Sequence, residues 1–369
     1  MRTTPDLRPT AMLQGLAREA RLNLTRARNG ARYATGAEFA PIGPTPSQVV
    51  WRSGKAQLRH YPNPDKTAYA VPVVAFGGLV GRSYIFDLTA SNSFVRRIHA
   101  AGFDAFVLDW GQPDHEDAGV SLETYLCDYL PAAIRAACRT SGADVVNLIG
   151  YCMGGTLALH GLPAQPELPV RALVSIAAPI DFACLNVMVD TVRDGRLDPA
   201  SVLDDSGNLP AGLLTSFFRV IKPTAGIVQY VNLWQHLGDE QYLEGFQALS
   251  RCFNDQVPVA GAAWLQIAEQ WIQGDAFLRG TLQLADRPVR LEELTLPVLV
   301  VVGSRDELVP EASTAPLCDL LPGADVEYMR LEAGHASLTT GRTAAKVTVP
   351  QILGWLAQHS EPIGAHARM

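Results

Sequence analysis

The 369-residue chain has no run of about eighteen uninterrupted apolar residues, so a membrane-spanning helix is not expected. Its opening stretch, MRTTPDLRPTAMLQGLAREAR, lacks the apolar run and small-residue cleavage site of a secretory signal. Cysteine is sparse: six residues, at 127, 138, 152, 184, 252 and 318, show neither C-x-x-C nor disulfide-framework spacing. Together these absences point to a reduced, cytoplasmic protein. An excess of basic charge is missing as well. Thirty Lys and Arg stand against 37 Asp and Glu, a formal charge of −7 that argues against a protein coating nucleic acid. No internal repeat or low-complexity tract interrupts the chain. What is present is ordinary globular composition, 48% hydrophobic and 18% charged. A chain of this size buries roughly 75% of the surface its unfolded form exposes, and needs no disulfide or metal staple.

The charge is unevenly placed. Residues 1–32 carry seven arginines against Asp6 and Glu19, a local balance of +5 that leaves −12 for the remainder. Within this arm Met12, Leu13, Leu16, Ala20 and Leu24 fall near helical spacing, with the arginines largely elsewhere. The commoner arrangement for such a helix is an apolar stripe docked on its own domain. The alternative presents the stripe to a membrane, a granule surface or a partner protein.

Residues 1–66 read as this basic helix followed by an irregular lead-in, rich in Pro and Gly, with one strand pair. From there short β-rich runs alternate with helical stretches, which is the signature of βαβ units and a parallel sheet. VPVVAF (71–76), AFVLDW (105–110), VVNLIG (145–150) and RALVSIAAP (171–179) are expected strands, with helices over 91–102 and 122–142 between them. Pro131 is expected near a helix start or a kink. A second set follows late, with strands in 296–304 and 324–332 and helices near 311–321 and 349–359. The core thus reads as 67–182 and 291–369, interrupted by a Trp-, Phe- and Leu-bearing insert over 183–290. An insert at the carboxyl edge of a parallel sheet is expected to cap the site there.

Gly150-Tyr151-Cys152-Met153-Gly154 follows a strand and precedes a helical stretch, which is the nucleophile-elbow pattern in its required context. Glycines on either side let strand and helix backbones pass closely, while the nucleophile stands at a helix N-terminus that favours a thiolate. Cys152 stands where Ser is commoner. A thiol needs a base and the base an orienting acid, in the chain order nucleophile, acid, histidine. Asp306 lies just past the strand LPVLVVVG, and His335, after Gly334, lies past the strand ADVEYMRLE. Taken alone, an Asp at a strand end is more often a turn former or helix cap, and Glu307 is a weaker alternative acid. His115 is the one rival histidine. The N–H of Met153 and one from the glycine-rich loop 77–82 are expected to form an oxyanion hole.

The box G-Y-C-M-G-G at 150–155 resembles that of polyhydroxyalkanoate synthases, and the resemblance extends through most of 70–358. FVLDWGQPD (106–114), LVGRSYIFDL (79–88), IAAPIDF (176–182), GNLPAGLLTSFFRVIKP (207–223) and LPVLVVVGSRDELVP (296–310) are similar to family segments. The resemblance implies an α/β-hydrolase fold, a mostly parallel sheet flanked by helices with a cap insertion. It implies Cys152 as nucleophile, Asp306 as acid, His335 as base, and Val80 with Met153 as backbone oxyanion donors. It further implies 3-hydroxyacyl-CoA or another acyl thioester as substrate, no cofactor and no metal. The short N-terminal extension is similar to that of synthases working with a partner subunit; a homodimer and granule-surface association are the other expected partners. Asp109-Trp110-Gly111 is read as structural. The chain departs from the family at Gly81, where Asn is usual, at Ala336-Ser337, where a Gly stands two residues after the histidine, and at Tyr151 and Met153 of the elbow, which are not the commonest residues there. These departures keep open a non-polymerising acyltransferase or a thioesterase- or depolymerase-like hydrolase, and they make slow elongation the expectation.

Overall fold

A computed structural model of the chain describes residues 9–65, 67–221 and 233–363. Arg2 and Arg8 of the basic arm, and residues 222–232 of the insert, lie outside the described residues. The frame is an eight-stranded sheet. Its strands are β1 (Gln48–Ser53), β2 (Ala56–Tyr61), β3 (Val73–Phe76), β4 (Ala105–Asp109), β5 (Val146–Tyr151), β6 (Val170–Ile176), β7 (Val298–Gly303) and β8 (Val326–Leu331). They lie in the order β1-β2-β4-β3-β5-β6-β7-β8. The β1–β2 hairpin is antiparallel and pairs antiparallel with β4; every other pairing is parallel.

The central strands are apolar on both faces because both faces are covered. Val74 and Phe76 of β3 enter one core cluster and Val73 and Ala75 the other, as the two-residue period of a strand demands. The chain runs from β3 to β4 on one side, then crosses to β5 on the other. The crevice at the carboxyl ends of β3 and β5 is therefore the topological switch point, where open α/β sheets bind ligands.

The helices refine the sequence expectations. Helix α1 spans Pro9–Ala34, α2 spans Phe94–Ala100 and α3 spans Leu130–Ser141. The stretch expected as one helix over 122–142 is divided: a π-helical turn over Thr124–Tyr129 leads into α3, which Pro131 opens and left-handed Gly142 closes. The helical stretch around 311–321 is likewise two short helices, Glu311–Thr314 and Leu317–Leu320, with Pro316 between them. Helix α4 (Met153–Gly161) follows β5 directly. Between β6 and β7 the chain forms α5 (Val187–Arg193), α6 (Ala211–Ile221) and α7 (Glu240–Asn254), and the described part of this stretch adds no strand to the main sheet.

Docking of the N-terminal helix through its apolar stripe does not hold. Leu13, Leu16 and Leu24 are 66%, 65% and 73% exposed. Among the described residues the C-terminal half of α1 is anchored beside the start of α7. Asn29 Nδ2 donates to Leu237 O at 2.9 Å, Arg28 pairs with Glu240, and the rings of Tyr33 and Phe246 lie 6.1 Å apart.

Candidate active site

Cys152 occupies the turn between β5 and α4 with φ +56° and ψ −131°. A non-glycine residue in that region is strained, and the surrounding packing holds it there. A Cβ on Gly154 would stand 2.6 Å from Phe76 O, and one on Gly155 would stand 2.7 Å from Ser175 Oγ. One on Gly150 would meet the Gly155 backbone at 2.7 Å. The three glycines of the box are thus required by close passage of strand and helix.

His335 and Asp306, 29 residues apart, meet across the ends of β7 and β8. Imidazole Nδ1 lies 2.7 Å from Asp306 Oδ2, and the Asp306 side chain is wholly buried. Asp306 Oδ1 accepts from the N–H groups of Leu308 and Val309, each at 2.9 Å, which fixes the carboxylate plane. The turn-forming and orienting readings of Asp306 are therefore one arrangement. Burial opposes protonation of the His335 ring, but the Cys152 sulfur, to which the ring hydrogen-bonds, and the Asp306 carboxylate outweigh it and raise the imidazole to about 10. The arrangement favours an imidazolium facing the Cys152 sulfur. Tyr151 packs beside this pair, its ring centroid 5.0 Å from that of His335 and its hydroxyl donating to His335 O at 3.3 Å. The rivals fall outside. The His115 side chain is exposed next to Asp114, and Glu307 is exposed while Asp306 makes the bond to His335.

Met153 opens α4, so its N–H is one of the helix donors without an intrahelical acceptor. The loop after β3 lies directly on it: a Cβ on Gly78 would meet Met153 Cβ at 2.6 Å. That loop, including Val80, is held at several points. Trp110 Nε1 donates to Gly77 O at 2.9 Å and Ser83 Oγ to Asp109 at 2.9 Å. Arg82 and the Tyr84 hydroxyl both donate to Asp255, each at 3.0 Å. Asp109-Trp110-Gly111 is thus a support for the loop, as its structural reading anticipates. Val80, Gly81, Cys152 and His335 line one cleft, with Phe253 contributed from the last turn of α7 and Gln256 from just beyond it. Ser337 lies in the 3₁₀ turn His335–Leu338, with its N–H on Gly334 O, and is not among the cleft residues. Of the departures, Gly81 and Tyr151 line the cleft and Met153 opens the helix beside it.

Several cleft residues carried no motif. Cys252 faces the cleft, but burial and then the Asp255 carboxylate push its thiol up to about 12. Tyr151 is adjacent to the nucleophile in sequence, which is the one signal that pointed to it. Gln256 and Phe253 had none. Among the described residues no cluster of three or more His, Cys, Asp or Glu side chains is placed to hold a metal ion, and no helix is long and apolar enough to cross a membrane.

Residues 71–341 match the family model described as alpha/beta hydrolase fold. A poly(3-hydroxyalkanoate) polymerase subunit PhaC of Allochromatium vinosum is 30% identical over 355 residues, covering 95% of this chain and 98% of that protein. The protein of the same name from Haloferax mediterranei is 32% identical over 322 residues, covering 87% of this chain; the chain spans 65% of that relative's length. Among solved structures, a monoacylglycerol lipase of Paleococcus ferrophilus is 18% identical, with a TM-score of 0.49 over 80% of this chain and 97% of that one. By the family model and by the Allochromatium relative, matched over nearly its whole length, the chain belongs to the alpha/beta hydrolase fold family and, within it, to the poly(3-hydroxyalkanoate) polymerase subunits.

Proposed function

We propose that the chain is the catalytic subunit of a polyhydroxyalkanoate synthase, joining 3-hydroxyacyl units through a covalent acyl-cysteine. The observation that carries this reading is the buried Asp306–His335 pair presented to Cys152 at the strand–helix turn. The Cys152 thiolate attacks the thioester carbonyl of 3-hydroxyacyl-CoA. The oxyanion receives the N–H groups of Met153 and Val80. CoA leaves as its thiol, taking the proton held by His335, and the acyl group remains on sulfur. His335 then takes the proton from a second unit's hydroxyl as its oxygen attacks the acyl-cysteine, forming the ester and releasing Cys152. Cysteine suits this cycle because donor and enzyme-bound acyl group are both thioesters, so each transfer between them is nearly balanced in energy. The cycle needs no redox partner or metal.

Residues 183–290 serve in this reading as a cap: Phe253 and Gln256 close one side of the cleft, and an apolar cover favours alcohol over water as acceptor. The exposed leucine stripe of α1, flanked by arginine, supports association with a partner subunit or a polymer granule. Six free cysteines support a reducing, cytoplasmic setting. Incubation with 3-hydroxybutyryl-CoA, resolving polymer, free acid and ester to a small alcohol, tests the reading; polymer supports it, and free acid alone overturns it in favour of a hydrolase.

A further inference from the structure

Gln256 is 9% exposed and lies just beyond the C-terminal end of α7, in the wall of the cleft that holds Cys152. Its Nε2 donates to Phe253 O at 2.9 Å and more weakly to Cys252 O at 3.5 Å, carbonyls of the last helical turn that lack helix donors. These two acceptors settle the amide's orientation, since a turned amide would set oxygen against oxygen. Oε1 therefore points the other way. It is buried, and among the described residues it has no hydrogen-bond partner. Opposite it stands Gly81. A Cβ on Gly81 would lie 3.7 Å from Oε1, in ordinary van der Waals contact with it, and the glycine leaves that position unfilled. The bonds of Arg82 and Tyr84 to Asp255 tie this wall to the loop that carries Val80, which keeps Oε1 beside the candidate oxyanion site.

A buried amide oxygen is costly to leave unpaired, and in a cleft it marks the place of a ligand's donor. The atom can only accept, so its partner is an O–H or N–H. With a thioester carbonyl between Val80 and Met153, a 3-hydroxyl sits two carbons along the acyl side, within reach of the neighbouring wall. We infer that Gln256 is a positioning residue whose side-chain oxygen accepts the hydroxyl hydrogen of the hydroxyacyl group and so selects hydroxyacyl over plain acyl thioesters. This inference rests on the acyl-transfer reading above. Gly81 is part of the same device, because a larger polar side chain there would reach Oε1 and occupy it.

The test is single-turnover acylation of the full-length protein by 3-hydroxybutyryl-CoA and by butyryl-CoA, which carries the same pantetheine amides without the hydroxyl. The wild type should prefer the hydroxyacyl substrate by about tenfold, the usual net value of one neutral hydrogen bond. Gln256→Leu, which removes the acceptor, should bring the ratio close to one. Gly81→Asn should do the same while keeping Gln256 and its helix-end bonds, since Asn tolerates the φ of +81° at that position and its amide can donate to Oε1. A wild-type ratio of one, or an unchanged ratio in the variants, overturns the assignment. So does a parallel fall with both substrates, which would mark a structural role or a pantetheine contact. Brisk acylation with a flat ratio sinks only Gln256; no acylation by either substrate sinks the acyl-transfer reading and this inference with it.

Discussion

Asp306 meets His335 at 2.7 Å through Oδ2 while its other oxygen is already committed to two backbone N–H groups. This division of labour makes the Asp306→Asn outcome derivable. The introduced amide would keep its oxygen on Leu308 and Val309 and turn its NH₂ towards Nδ1. The ring would then carry its proton on Nε2, facing Cys152, and could not accept one there. Acylation measured in a single turnover should fall at least ~100-fold, whereas Glu307→Gln should stay within about twofold of wild type. A silent Asp306→Asn would remove Asp306 from the mechanism.

His335 should titrate well above an ordinary histidine. Burial lowers it, and Cys152 followed by Asp306 raises it to about 10. In the wild type the imidazole resonances should remain those of the charged ring from pH 7 to beyond pH 8. Cys152→Ala removes the largest raising influence, so the midpoint should move down. A midpoint indifferent to Cys152→Ala would mean that ring and sulfur do not face each other.

Thiol reagents should discriminate among the cysteines. Cys252 shares the cleft but is pushed up to about 12, and Cys184 to about 11, in both cases first by burial. Brief iodoacetamide treatment at neutral pH should therefore modify Cys152 well ahead of either, because the thiolate is the reactive form. Peptide mapping showing Cys252 modified first would contradict the assignment.

The exposed stripe of α1 gives a binding prediction. Replacing Leu13, Leu16 and Leu24 together with Ser should weaken binding to polyhydroxybutyrate particles several-fold, as loss of buried apolar area requires. The melting temperature should change little, since surface substitutions far from packed features cost under about 0.5 kcal/mol each. A large fall in melting temperature with unchanged particle binding would show that the stripe stabilises the fold instead.

The central strands and the elbow were legible because their causes are local. Apolar runs such as Val298–Gly303 need both faces covered, and Gly150, Gly154 and Gly155 each answer to a backbone approach that the motif encodes. Asp306 and His335 could be paired because chain order and strand-end position brought them together before any distance was known. The fate of the α1 stripe was not legible, since periodicity shows that a helix has an apolar face but not whether anything covers it. Nor was the break at Pro131, which the pattern allowed as either a start or a kink. Gln256 lies 104 residues beyond Cys152 in a segment without motif. Its relevance comes from one amide orientation and from the absence of a side chain at Gly81, both tertiary facts.

The proposed acyl transfer requires a covalent intermediate on Cys152. Intact-protein mass spectrometry after brief exposure to 3-hydroxybutyryl-CoA, followed by peptide mapping, should show one acyl group, carried by Cys152 and absent from Cys152→Ala. An acyl group on another residue, or product formed by Cys152→Ala at the wild-type rate, would contradict it.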